Sequence, residues 1–241
     1  MKNRMFLLQL LLLSLISFRG LAQVRLGVQA GGTYSDFRHV QADRENEKAL
    51  RKATSPIPGF SIGVLAGYQL SKAFSLQTGL NWTNKGERYE DKGKDMNVAF
   101  EYDQKTSVHF LEVPVQAACH IRKFQVVAGP YIGIGMLGHR KSEFNGTVNG
   151  VSETNEERLR IKFRNTLPAD FAPENGILYQ RRLDYGLNGG IGYQAGPALL
   201  RATYAWGLAN SRTRLEGDET YKDFKSFYRV IGLSVVYWFK E

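Results

Sequence analysis

Phe74-Ser75-Leu76-Gln77-Thr78-Gly79-Leu80-Asn81-Trp82 alternates between two kinds of side chain. In an extended chain successive Cβ atoms point to opposite sides. Phe74, Leu76, Leu80 and Trp82 therefore share one face, and Ser75, Gln77, Gly79 and Asn81 the other. The spacing of three and four that marks an amphipathic helix is absent. The polar face decides the reading. A soluble barrel would cover a water-facing side with Lys and Glu, whereas this side is small and uncharged. Small residues suit the crowded lumen of an eight-stranded barrel. The apolar face then points into lipid.

Seven further segments repeat the pattern: Val24–Tyr34, Phe60–Leu70, Phe110–Cys119, Phe124–Met136, Leu183–Tyr193, Leu199–Leu208 and Tyr228–Phe239. Each is about ten residues, the length a tilted strand needs to cross a bilayer. In lipid every backbone N–H and C=O must be paired, so the sheet must close. The expected fold is all-β, an eight-stranded antiparallel up-and-down transmembrane β-barrel with long extracellular loops. Tyr34, Phe60, Trp82, Tyr185 and Trp206 fall near one end of the apolar face. Tyr68, Phe74, Phe124, Tyr193 and Tyr237 fall near the other, as two interfacial rings would. Short connections (Ser71–Ala73, His120–Lys123, Gln194–Pro197) alternate with long ones, roughly Ser35–Gly59, Thr83–His109, Leu137–Arg182 and Ala209–Phe227. An even strand number places both termini on the periplasmic side.

The N-terminus reads as a secretory signal. Lys2 and Arg4 precede the apolar stretch Met5–Phe18, and the small residues Gly20 and Ala22 set a cleavage point after Ala22. The division is thus 1–22 signal peptide and 23–241 outer-membrane β-barrel domain. The chain has 241 residues, of which 43% are hydrophobic and 23% charged, so disorder is excluded. Its net charge is +9; Lys2, Arg4 and Arg19 account for three of those charges, leaving +6 on the mature chain. That charge is interleaved with acids in no long run, so nucleic acid is not an expected partner. Cys119 is the single cysteine, which excludes an intramolecular disulfide.

Motifs with chemical meaning are few. Gly133, Gly135 and Gly138 spell a dinucleotide fingerprint, but no βαβ unit surrounds them, and Gly133 and Gly135 read as lumen-facing residues of a strand. Asn145-Gly146 and Asn149-Gly150 read as tight hairpin turns. Arg25, Glu112, Asp184, Arg201 and Arg229 read as lumen charges. A buried charge must be paired, so they form an expected internal ion-pair network, with Arg201 or Arg229 the candidate partner of Glu112. Leu159-Arg160-Ile161-Lys162-Phe163-Arg164 alternates apolar and basic residues and reads as a strand extending above the membrane. Its Arg160, Lys162 and Arg164 are candidate contacts for lipid-surface phosphates. His109 and His139, with Glu112 and Asp184, are the residues an enzyme at the outer rim would use. No spacing among them identifies a nucleophile and its base, and no Cys/His cluster has zinc spacing. The expectation is a protein that is not an enzyme and holds no cofactor or metal.

The strands also carry a resemblance. Leu70-Ser71-Lys72-Ala73-Phe74-Ser75-Leu76-Gln77 with Gly79-Leu80-Asn81-Trp82-Thr83-Asn84-Lys85-Gly86, then Leu111-Glu112-Val113-Pro114-Val115, resemble the PorT-like outer-membrane β-barrel family. So do Ala128-Gly129-Pro130-Tyr131-Ile132-Gly133, Gly189-Gly190-Ile191-Gly192, Arg201-Ala202-Thr203-Tyr204-Ala205-Trp206-Gly207-Leu208 and the closing Ile231-Gly232-Leu233-Ser234-Val235-Val236-Tyr237-Trp238-Phe239. The resemblance implies residence in the outer membrane of a Gram-negative bacterium, in contact with lipid and lipopolysaccharide. It implies no catalytic residues. The leading expectation is a barrel presenting extracellular loops for interaction or envelope integrity. The alternatives are an accessory component of a protein-secretion or gliding apparatus, with envelope or secretion proteins as partners, and an outer-membrane enzyme.

Overall fold

The computed structural model describes residues 24–95, 98–148, 151–172, 174–217 and 223–239. The expected signal peptide 1–22 and the Asn149-Gly150 turn lie outside them. Twelve strands run in chain order among the described residues: β1 (Val24–Gln41), β2 (Thr54–Gln69), β3 (Phe74–Asp95), β4 (Val98–Ile121), β5 (Phe124–Val148), β6 (Val151–Phe163), β7 (Thr166–Leu167), β8 (Ile177–Gln180), β9 (Leu183–Ala195), β10 (Ala198–Gly207), β11 (Arg214–Leu215) and β12 (Phe224–Trp238). The helix α1 (Arg44–Ala53) joins β1 to β2.

Eight strands close a ring in which β1, β2, β3, β4, β5, β9, β10 and β12 are antiparallel neighbours and β12 returns to β1. These are the eight segments expected from the sequence. Within each, one face is buried and the other bare. Leu26 is 58% exposed, Ile62 50%, Ile191 65% and Leu233 57%, and their outward neighbours are similar. A continuous band of such side chains is untenable in water and natural in lipid. Tyr34, Phe60, Tyr185 and Trp206 edge the band on one side. Tyr68, Phe74, Phe124, Tyr193 and Tyr237 edge it on the other, where the short turns lie.

The long connections are largely not loops. β3 and β4 stay paired from Phe74↔Cys119 to Asp95↔Val98, and β5 and β6 from Gly138↔Ile161 to Val148↔Val151. The walls thus continue well past the apolar band. Asn145-Gly146 sits inside β5, not in a turn, because the strand pairs on both sides there: Asn145 faces Glu101 on β4 and Thr154 on β6. Residues 44–53 form a helix rather than a loop. The Asp43 side chain caps it by accepting from the Glu45 N–H at 2.9 Å, with Glu45 and Glu47 in the first turn and Arg51 and Lys52 in the last. A loop was expected because a ten-residue polar helix buries no stripe that a periodicity reading would see.

The interior has two apolar layers separated by polar ones. Near the short turns, Leu65, Leu199, Val236 and Trp238 pack together. At the opposite side of the lumen, Phe37, Val108, Phe110, Ile161 and Tyr228 form a second cluster, with Phe163 and Leu178 against it. Gly135 on β5 makes room for Phe163: a Cβ there would fall 2.4 Å from its ring.

Candidate functional site

The sequence-predicted charges do not form one network. Glu112 and Asp184 face the lumen and converge on Lys85, a β3 residue. Lys85 Nζ lies 2.5 Å from Glu112 Oε1 and donates to Asp184 Oδ2 at 2.7 Å. Tyr131 donates to the same Asp184 oxygen at 3.2 Å. The rings of Phe110, Tyr131 and Tyr228 surround the ammonium, with centroids 5.2, 4.7 and 5.3 Å away. Lys85 is 1% exposed, so the cation is held by two carboxylates and three aromatic faces instead of water. The partner of Glu112 is therefore Lys85, not Arg201 or Arg229. Continuing the phase of Ser75, Gln77, Gly79 and Asn81 through Thr83 reaches Lys85 on the lumen face. That phase runs into Thr83–His109, whose charged outer residues read as a long loop.

Arg201 stands apart. It is buried and donates to Gln77 Oε1 at 2.7 Å and Gln125 Oε1 at 2.8 Å, two neutral acceptors on facing strands. Arg25 sits near the short turns with its guanidinium 5.4 Å from the Trp238 ring centroid. Arg229 is a correction. It shares the outer face with Ile231 and Leu233 and forms a bidentate pair with Asp36, directly opposite it on β1. A charge in phase with lipid-facing residues is tolerated here because the pair lies at the aromatic edge of the apolar band, where Arg229 opposes Trp206. His109 and His139 do not assemble a site. His109 packs outward against Phe60 and Trp82, whose indole N–H donates to its Nδ1 at 3.2 Å, and His139 is exposed.

Beyond the second apolar cluster the walls line an open cavity of about 690 Å³. Phe37 belongs to that cluster and also lines the cavity, so the cluster is its floor. Aromatic rings line part of the wall: Tyr89 and Tyr102 meet edge to face at 6.0 Å, as do Phe171 and Tyr179 at 5.0 Å, and Phe224 stacks on His39 at 5.7 Å. Leu50 of α1 contributes as well.

Three polar wall residues form a chain. His39 Nδ1 lies 2.9 Å from Ser226 Oγ and its Nε2 lies 2.8 Å from Glu87 Oε2. The order matches nucleophile, base and carboxylate. Ser226, however, is 4% exposed and directly opposite His39 in the β1–β12 register. Its hydroxyl is committed to a clasp that ties β12 to β1 and β3, with little surface for an incoming carbonyl. Arg140 also lines the cavity. A β-bulge displaces the β4–β5 register between His109 and Phe110, so that Met136 and Leu137 both turn outward. Gly138, Arg140 and Ser142 then take the inward phase that Gly133 and Gly135 hold below. Arg140 Nε donates to Thr106 Oγ1 at 3.1 Å, and no carboxylate among the described residues forms an ion pair with it. Burial pulls its guanidinium below the ordinary value, with the more distant Glu87 and Tyr102 acting the other way.

Arg160, Lys162 and Arg164 start at the edge of the apolar band, where Arg160 opposes His139. Lys162 is paired with Glu174 at 2.7 Å and Arg164 lies 5.9 Å from the Tyr179 ring centroid. Among the described residues no cluster of three or more His, Cys, Asp or Glu has metal-binding geometry.

The family model for the outer membrane protein beta-barrel domain matches residues 17–212, and the chain belongs to that family. Its place is the outer membrane. Among solved structures it is similar to Ail, the attachment invasion locus protein of Yersinia pestis, determined in complex with the heparin analogue sucrose octasulfate. That match has 14% identity and a TM-score of 0.34 and covers 89% of this chain and 99% of Ail. Neisserial surface protein A matches at 13% identity and a TM-score of 0.32, covering 88% of this chain and 96% of its own. The outer membrane protease OmpT from Escherichia coli matches at 10% identity and a TM-score of 0.28, covering 90% and 95%. No curated protein matches the chain.

Proposed function

We propose that this member of the outer membrane protein beta-barrel domain family is a non-enzymatic barrel that holds a stiff interaction platform outside the cell. The observation that carries the reading is the continuation of β3–β4 and β5–β6 as paired hairpins beyond the apolar band. A loop would have to be ordered when a partner binds, at a cost in entropy; a paired hairpin is ordered beforehand. In this reading the short turns and both termini lie in the periplasm. Arg160 and Arg164 then stand at the height of the outer lipid headgroups and are the residues to meet lipopolysaccharide phosphates, while Lys162 is already paired with Glu174. The PorT-like resemblance supplies the narrower form of the proposal, an accessory component of a protein-secretion or gliding apparatus whose partners are envelope proteins.

The orientation is tested in a Cys119→Ser background, which removes the native thiol. On intact cells a membrane-impermeant maleimide should label Asn155→Cys, on the β6 hairpin. It should label Lys72→Cys, in a short turn, only after the outer membrane is breached. The opposite order would invert the topology and place the platform in the periplasm.

A further inference from the structure

We propose that the cavity above Phe37 is a binding site for a small organic anion with a flat apolar body, its head held by Arg140. This goes beyond the interaction platform, which concerns the outer surface of the same walls. A volume of about 690 Å³ falls in the size range of cavities that take drug-sized molecules. The edge-to-face pairs Tyr89–Tyr102 and Phe171–Tyr179 present ring faces and edges to a flat guest rather than a round one.

Charge chooses the head group. Glu87, a carboxylate in the wall, is already engaged by His39 at 2.8 Å. Arg212 lies 4.5 Å from the Phe224 ring centroid and donates to the Phe224 carbonyl at 3.2 Å. Arg140 has a hydroxyl for Nε and no ion-pair carboxylate among the described residues. A half-buried guanidinium with no carboxylate in contact is costly, and an incoming carboxylate, sulfonate or phosphate offsets that cost by bidentate pairing. Among the described residues, a cationic guest would find rings but no uncommitted wall carboxylate. The β4–β5 bulge serves the same end, because with unbroken alternation His139 and Lys141 would face the cavity and Arg140 would face water.

The full-length mature barrel, held in lipid nanodiscs, is titrated calorimetrically with 2-naphthoate and with its neutral isostere 2-naphthamide; empty nanodiscs give the lipid-partition background. Saturable binding of one naphthoate per barrel is expected, at least about tenfold tighter than naphthamide, the factor for a hydrogen bond to a charged group. Arg140→Gln should abolish that preference and leave naphthamide binding unchanged, with the urea midpoint of the barrel as the check on folding. Equal affinity for the two probes, or no saturable binding above the lipid background, overturns the proposal on the wild-type protein alone. A preference that survives Arg140→Gln overturns the assignment of the head-group contact.

Discussion

The barrel within the apolar band and the walls beyond it are built from the same strands, but their outer faces have opposite polarity. In the band, Leu76, Leu80 and Val64 point outward, while Gln77, Asn81 and Arg201 point inward beside the small apolar layer of Leu65, Leu199, Val236 and Trp238. Beyond it, Phe37, Val108, Phe110, Ile161 and Tyr228 turn inward, while Arg88, Lys92 and Glu101 cover the outside. The backbone does not change; the solvent on the outer face does. Lipid accepts apolar groups and water accepts charges, so the sign of the alternation inverts where the membrane ends. Lys85 sits at the inversion, with polar lumen on one side and the apolar cluster on the other.

Removing Lys85 should have the largest effect. Lys85→Met leaves Asp184 and Glu112 facing each other without a cation. Breaking such a buried pair costs about 3–5 kcal/mol, read as a lower urea midpoint in lipid vesicles. Adding Asp184→Asn should recover part of the loss. Glu112→Gln leaves the Lys85–Asp184 pair in place and should cost about 1.5–3 kcal/mol, the worth of a hydrogen bond to a charged group. Coupling of Glu112 to Arg201 rather than to Lys85 in a double-mutant cycle would remove the assignment.

Opposite polarities also predict opposite tolerance. Val64→Arg places a charge on the lipid face at the middle of β2 and should cost about 2–4 kcal/mol. Thr154→Arg, on the exposed outer face of β6, should stay within about 0.5 kcal/mol of wild type. Equal penalties would mean that the band is not set by lipid.

The smallest effect belongs to pH. Arg88 donates to Asp103 at 2.9 and 2.7 Å beyond the band, and that bond holds the Asp103 carboxyl below its usual value. The folded value is depressed, so the contribution is present above the unfolded carboxylate range near pH 4. It is lost as pH falls through the folded value. Both side chains are partly exposed, which limits the pair to about 1 kcal/mol, less in salt. Asp103→Asn should flatten this part of the acid dependence of unfolding without changing stability at pH 7 by more than that amount.

The sequence exposed the eight ring strands because lipid on one side and a crowded lumen on the other leave a pattern of constant sign, as in Phe74–Trp82. It hid the extensions because their outer residues, such as Arg88 and Lys92, are those of an ordinary loop. Two lumen carboxylates, Glu112 and Asp184, were readable from phase alone, and Lys85 was reachable by carrying that phase further. Arg229 faces outward against the lumen reading because a cross-strand Asp36 at the band edge neutralises it. Arg140 was unreadable without the β4–β5 bulge, since one extra residue reverses every side chain that follows it.

Nitroxide scanning along β3 tests the polarity inversion most directly. Spin labels are placed one at a time at Leu76, Leu80, Arg88, Glu90 and Lys92 in a Cys119→Ser barrel reconstituted in vesicles. Collision with oxygen reports lipid, and collision with a water-soluble nickel chelate reports water. Labels at Leu76 and Leu80 should relax with oxygen and ignore the chelate. Those at Arg88, Glu90 and Lys92 should do the reverse, although all five share the outer face of one continuous strand. Chelate access at all five positions would make this a water-exposed barrel and contradict the account.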